Sequence, residues 1–66
     1  MRIRKVIEEI EKYRWTPDPL LTDVSLQRWV FKHPDRPDRI TIIGDLDDYL
    51  SITAAGAIIN NARVDD

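Results

Sequence analysis

Trp29-Val-Phe-Lys-His-Pro-Asp-Arg-Pro-Asp-Arg-Ile-Thr-Ile-Ile-Gly44 reads as two strands and the turn between them. Successive side chains in a strand point to opposite faces, so Trp29 and Phe31 share one face and Arg28, Val30 and Lys32 the other. Leu26 to His33 is expected as a central strand and Arg39 to Ile43 as its return, with Ile40 and Ile42 on the face of the two aromatics. Pro34 to Asp38 carries turn chemistry throughout, two prolines fixing φ and two aspartates able to cap amides. Gly44 suits a strand exit that needs positive φ.

Working outward, Ile3, Val6, Ile7, Ile10 and Tyr13 fall at helical spacing, with Glu8, Glu9, Glu11 and Lys12 opposite. An amphipathic helix over residues 2 to 14 follows, with Glu8 and Lys12 placed as an i,i+4 pair. Thr16-Pro-Asp-Pro19 stops it as a loop, and Leu20 to Val24 is expected as a short edge strand. After an acidic connection, Ser51 is a good N-cap for a helix over residues 52 to 62, whose Ile52, Ala55, Ile58, Ile59 and Ala62 form an apolar stripe. Asp47 and Asp48 are expected to favour the start of that helix through its dipole, and Gly56 to mark a close approach to the sheet or a ring. Residues 63 to 66 read as a polar tail. The resulting class is α+β: one small α-β-β-β-α domain over residues 1 to 66, its three-stranded antiparallel sheet covered on one face by both helices.

At 66 residues only roughly 60% of the unfolded surface can be buried, so nearly every apolar residue in a regular element is needed for the core. A chain 42% hydrophobic and 33% charged is globular rather than disordered. Without cysteine there are no disulfides or thiolate metal sites, which fits a reducing compartment. No apolar run is long enough to span a bilayer, so the expected location is cytoplasmic, with no membrane partner. A net charge of −2 and a pI near 5.2 argue against strong nonspecific nucleic-acid binding, although a local patch can hide within such a total.

Phe31-Lys-His-Pro34, the Pro-rich turn, and the strand up to Gly44 resemble the hairpin block of the HicA (YcfA-type) family of small RNA-cleaving toxins. The helix ending in Trp15 and the final helix are similar to the rest of that family. There the block opens Gly-Ser-His, the histidine being catalytic; this chain has Leu26-Gln27-Arg28. It also has Arg14 for a glycine before the tryptophan, about four extra residues between Trp15 and Phe31, and Thr53-Ala54-Ala55 for Gly-Thr-Leu. Aspartates replace a histidine often found after the third strand. The resemblance implies a fold similar to a double-stranded RNA-binding domain, RNA as ligand and a HicB-like antitoxin as partner. The implied activity is a metal-independent endoribonuclease (mRNA interferase), here weakened or lost.

RNA cleavage through the 2′-hydroxyl needs groups that exchange protons near neutrality, and an arginine at the family's catalytic position does not. His33, the only histidine, is the remaining candidate. It has two readings: a ring on the rim of the core bonded to a turn carbonyl, or a catalytic group re-aimed by a bulge or turn. Arg28, Lys32 and Arg39 project from the open face, with Arg36 in the adjoining turn. They form either a phosphate-binding patch or a solvated, salt-bridged surface whose stems cover Val30 and Ile43. Asp45, Asp47 and Asp48 match no calcium loop, and Ser51 and Thr53 have no histidine or lysine nearby to activate them. No metal or cofactor is expected. The alternative function is a non-catalytic protein-binding module, holding an antitoxin-like partner or a second copy of itself.

Overall fold

The computed structural model describes residues 1 to 63; the last three residues of the expected polar tail lie outside the described residues. The chain runs α1 (Ile3–Glu11), β1 (Thr16–Pro17), a 3₁₀ turn (Val24–Leu26), β2 (Arg28–His33), β3 (Arg36–Ile43) and α2 (Ile52–Ala62). The strands form one antiparallel sheet in the order β1-β2-β3. The α-β-β-β-α order is the one expected, and both helices pack with the sheet's covered face around Ile3, Val6, Ile10, Trp15, Phe31 and Ile42.

The hairpin register agrees with the alternation: Trp29 faces Ile42 and Phe31 faces Ile40. Phe31, Ile40 and Ile42 are buried; Trp29 is half-buried and donates Nε1–H to Gly44 O at 2.7 Å. The turn is tighter than expected. Only Pro34 and Asp35 form it, and β3 already begins at Arg36. Phe31 pairs with Ile40 but His33 pairs with Arg36, so Pro37, Asp38 and Arg39 together oppose Lys32 alone. A bulge absorbs the residues that looked like turn.

The edge strand lies elsewhere than expected. It is Thr16–Pro17, opposite Lys32 and Phe31, while Leu20 to Val24 loops outward with Leu20 92% exposed. Pro17 loses nothing at an edge position that donates no ladder bond. Turn chemistry outweighs the β propensity of the next residues: Asp18 accepts from the amides of Leu20 and Leu21, and Asp23 from those of Ser25 and Leu26. Gln27 then takes a left-handed φ of 52°, which delays β2 to Arg28.

The first helix ends at Glu11, and the chain leaves it through Arg14 at φ 70°, a conformation more often given to glycine. The expected Glu8–Lys12 pair does not form; Lys12 bonds Glu9 and Lys5 bonds Glu8, each three residues apart. The N-terminus of α1 is capped by carbonyls of the acidic loop, Ile3 N–H donating to Asp48 O and Arg4 N–H to Leu46 O, both at 2.9 Å. Asp47 pairs with Arg4, and Asp48 accepts from Asp45 N–H, so these carboxylates brace α1 and their own loop rather than α2. Ser51 does cap α2, accepting from Ala54 N–H at 3.1 Å.

Two expectations within α2 fail. Ile52 is 86% exposed, and Gly56 has no neighbour within 4 Å of where a Cβ would lie. Gly44 behaves as expected: its φ is 140°, and a Cβ there would meet Ile3 Cδ1 at 2.8 Å. No helix among the described residues is long and apolar enough to cross a membrane.

Candidate functional site

Lys32 stands on the open face of β2, exposed and without an ion pair among the described residues. Thr16 of β1 lies opposite it, and Arg39 comes from the bulge of β3. With Arg14, Arg36 and His33 they line a depression of about 720 Å³ at the turn end of the sheet. The bulge and the left-handed residue after α1 thus bring four cations to one end of the molecule.

Three of the four are tethered. Arg39 reaches from β3 across β2 to Asp18 beyond β1, Nε to Oδ2 at 3.0 Å. Its guanidinium, and then the amides of Leu20 and Leu21, hold the Asp18 carboxyl below its ordinary value. Arg14 bonds Asp35 at 2.8 Å. Arg36 forks onto Asp38 at 2.8 and 3.0 Å, donates to Asn61 O, and lies 5.5 Å from the Trp15 ring centroid. That places Arg36 in the first pair of β3, beside Trp15 and the end of α2, rather than in the turn. Exposed pairs such as Arg14–Asp35 contribute little to stability, so a phosphate can exchange with the carboxylate at small cost.

Arg28 does not join this group. Its Nε donates to Leu21 O at 3.0 Å and its backbone pairs with Asp23, at the other end of β2. Val30 is buried although it lies on the face opposite Phe31. Arg14 and Thr16 are the site residues that sequence reasoning missed. Neither the left-handed turn at Arg14 nor the pairing of Thr16 with Lys32 has a local sequence signal.

His33 is 3% exposed, its ring 5.2 Å from that of Trp15. Its Nδ1 accepts the Asp35 amide at 3.0 Å, where a turn carbonyl was expected as the partner. Nδ1 therefore presents its lone pair and Nε2 carries the proton, enclosed and without a hydrogen-bond partner among the described residues. Neither nitrogen is offered to a substrate in this conformation. No three His, Asp or Glu side chains gather as a metal site among the described residues.

The Asp18 tether sets a pH dependence. A carboxyl whose folded value is depressed stabilises the fold above its unfolded value and loses that contribution as pH falls through the folded one. Thermal stability should therefore drop below about pH 4, and Asp18→Asn should start lower but lose less over the same acid range. Melting curves followed by circular dichroism check this; equal acid loss in both proteins would remove Asp18 from the account.

Compared with known proteins, the chain matches no family model, no curated protein and no solved structure.

Proposed function

We propose that this chain is a HicA-like RNA-binding domain of the toxin–antitoxin kind whose ribonuclease activity is weak or lost. The observation that carries the reading is the depression where Lys32 stands free among three arginines, on a sheet end that leaves it open. The Thr16 hydroxyl adds a neutral donor and acceptor at its rim. Phosphate is the ligand such a set suits, since guanidinium forks match its oxygens and an ammonium adds a point charge. His33 in that depression is enclosed, and Arg28, at the other end of β2, is held by the loop 18–27.

The test is binding of a labelled single-stranded RNA measured against salt. Three or four phosphate contacts give a slope of log affinity on log salt of about −2 to −3, and each cation removed should lower it by about 0.7. Arg14→Ala, Lys32→Ala and Arg39→Ala combined should weaken binding strongly, and Arg28→Ala barely. Salt-independent binding, or equal loss in Arg28→Ala, would move the interface elsewhere.

A second reading, the non-catalytic module that holds an antitoxin-like protein, is favoured by one feature. Leu20, Val24, Leu26 and Ile43 are large apolar side chains left exposed in the loop 20–26 and at the end of β3. Exposed apolar groups of this kind mark protein contacts when they are contiguous.

A further inference from the structure

Backbone hydrogen bonds determine which groups of β3 are already used. On its β1 side, Val30 accepts from Asp18 N–H at 2.8 Å and exchanges two bonds with Thr22 Oγ1 at 3.0 and 3.1 Å. Arg28 exchanges two bonds with Asp23 in the same direction. Backbone groups alternate sides along a strand, so Trp29 and Phe31 turn theirs toward β3, where Ile42 and Ile40 face them. Gly44 N–H donating to Gln27 O at 2.8 Å continues the pattern. By the same alternation Thr41 and Ile43, and Arg39 where the bulge begins, direct N–H and C=O away from the sheet. No strand among the described residues pairs along that edge.

Natural edges are blunted by prolines, bulges and charge, and the turn half of β3 has all three in Pro37, Asp38 and the bulge. The half from Ile40 to Ile43 is regular, and exposed Ile43 ends it. Beside it runs a groove of about 420 Å³, lined by Ile40 and Thr41 on one wall and Ala57, Ile58 and Asn61 of α2 on the other. From Ile52 to Ala62 this helix has no charged residue, in a chain that is 33% charged. Its outer face, with Gly56 and Ala57, is exposed.

We propose that a second copy of this chain docks on this edge, β3 pairing antiparallel with β3 about a twofold axis at Thr41. Such pairing sets Thr41 against Thr41 and Arg39 against Ile43, matching outward-facing residues with outward-facing residues. Charge complementarity selects the copy and its direction. At one end of β3 the four cations of the depression exceed by one, Lys32, the carboxylates paired with them, and the other end leads into Asp45, Asp47 and Asp48, of which Asp47 is already paired with Arg4. Asp45 is exposed and has no ion pair among the described residues. Antiparallel pairing lays the basic end of each copy beside the acidic end of the other, twice over, as a closed isologous interface requires. The neutral face of α2 lets the two helices approach across the axis without like-charge repulsion. The basic end engaged here, Arg39 included, is also the one assigned to RNA, so the dimer is read with no RNA present.

Sedimentation equilibrium of the full chain, taken up to about 1 mM, tests this. The expected species has twice the 7.7 kDa chain mass and weakens as salt rises. Thr41→Pro removes an outward N–H that β2 does not use, so the hairpin should survive while the dimer dissociates. Should that variant fail to fold, Ala57→Glu at an exposed helix position places like charges near the axis and should raise the dissociation constant at least about tenfold. Exchange of the Thr41 and Ile43 amides should slow as concentration rises. A monomer at every concentration, a dimer that folded Thr41→Pro or Ala57→Glu leaves intact, or concentration-independent exchange at Thr41 and Ile43 would overturn the proposal.

Discussion

Trp15→Ala should leave the chain largely unfolded at 25 °C. Trp15 is the largest fully buried side chain, 1% exposed, and three elements meet on it. Its ring contacts His33 of β2, Arg36 of β3 lies over it, and Nε1–H donates to Ala62 O in the last turn of α2 at 2.7 Å. Truncating a buried tryptophan costs about 3–5 kcal/mol, and a buried carbonyl left without its donor adds roughly 1–3 kcal/mol. At roughly 0.05–0.15 kcal/mol per residue, a domain this small has a total stability of that same size. Trp15→Phe keeps most of the packing and loses the indole donor, so it should fold with a lowered melting temperature. Far-ultraviolet circular dichroism with urea titration distinguishes the cases. A Trp15→Ala protein that melted cooperatively near the wild-type temperature would show that the core is organised around some other residue.

Purified wild-type protein should leave RNA uncut in the presence of a chelator. A positioned acid or base contributes typically 10²–10⁴-fold to such a reaction, and His33, the histidine that lines the depression, has one ring nitrogen bonded and the other enclosed. Arg28 stays protonated and donates to Leu21 O; the His33 Nδ1 lone pair is taken by the Asp35 amide, and Nε2 is enclosed. Arg28→His should not create an active enzyme by itself. Position 28 is drawn toward the loop 18–27, and Leu26 and left-handed Gln27 stand immediately before it. Gel analysis of labelled RNA checks both proteins. Robust cleavage that disappeared in a folded His33→Ala variant would mean that the ring leaves its seat beside Trp15 during turnover.

The hairpin was legible because its signal is local: bulky apolar side chains alternating across Trp29–Phe31 and Ile40–Ile42 admit one register, and a slip by one residue would expose them all. Ser51 and Gly44 were legible for the same reason, each answering a backbone need at its own position. What escaped depended on distant partners. Thr16–Pro17 is a strand because β2 lies beside it, whereas by itself Pro17 reads as a breaker. The Pro37–Arg39 bulge depends on how β3 meets β2, and it moves Arg36 out of the turn and onto Trp15. Alternation placed Lys32 and Arg39 together correctly. It could not show that Arg28, on the same face, would be tied to Asp23 and Leu21 at the far end, or that Arg14 would swing in after α1.

Titrating isotopically labelled protein with a short single-stranded RNA, and following backbone amide and arginine side-chain resonances, maps the interface residue by residue. The expected result is a set of shifts at Arg14, Thr16, Lys32 and Arg39 that diminishes as salt is added, with α2 and Arg28 unmoved and the RNA recovered intact. Shifts confined to Leu20 through Leu26 and Ile43, or no shifts with RNA while an acidic protein partner produces them, would contradict an RNA-binding role for the basic end of this sheet.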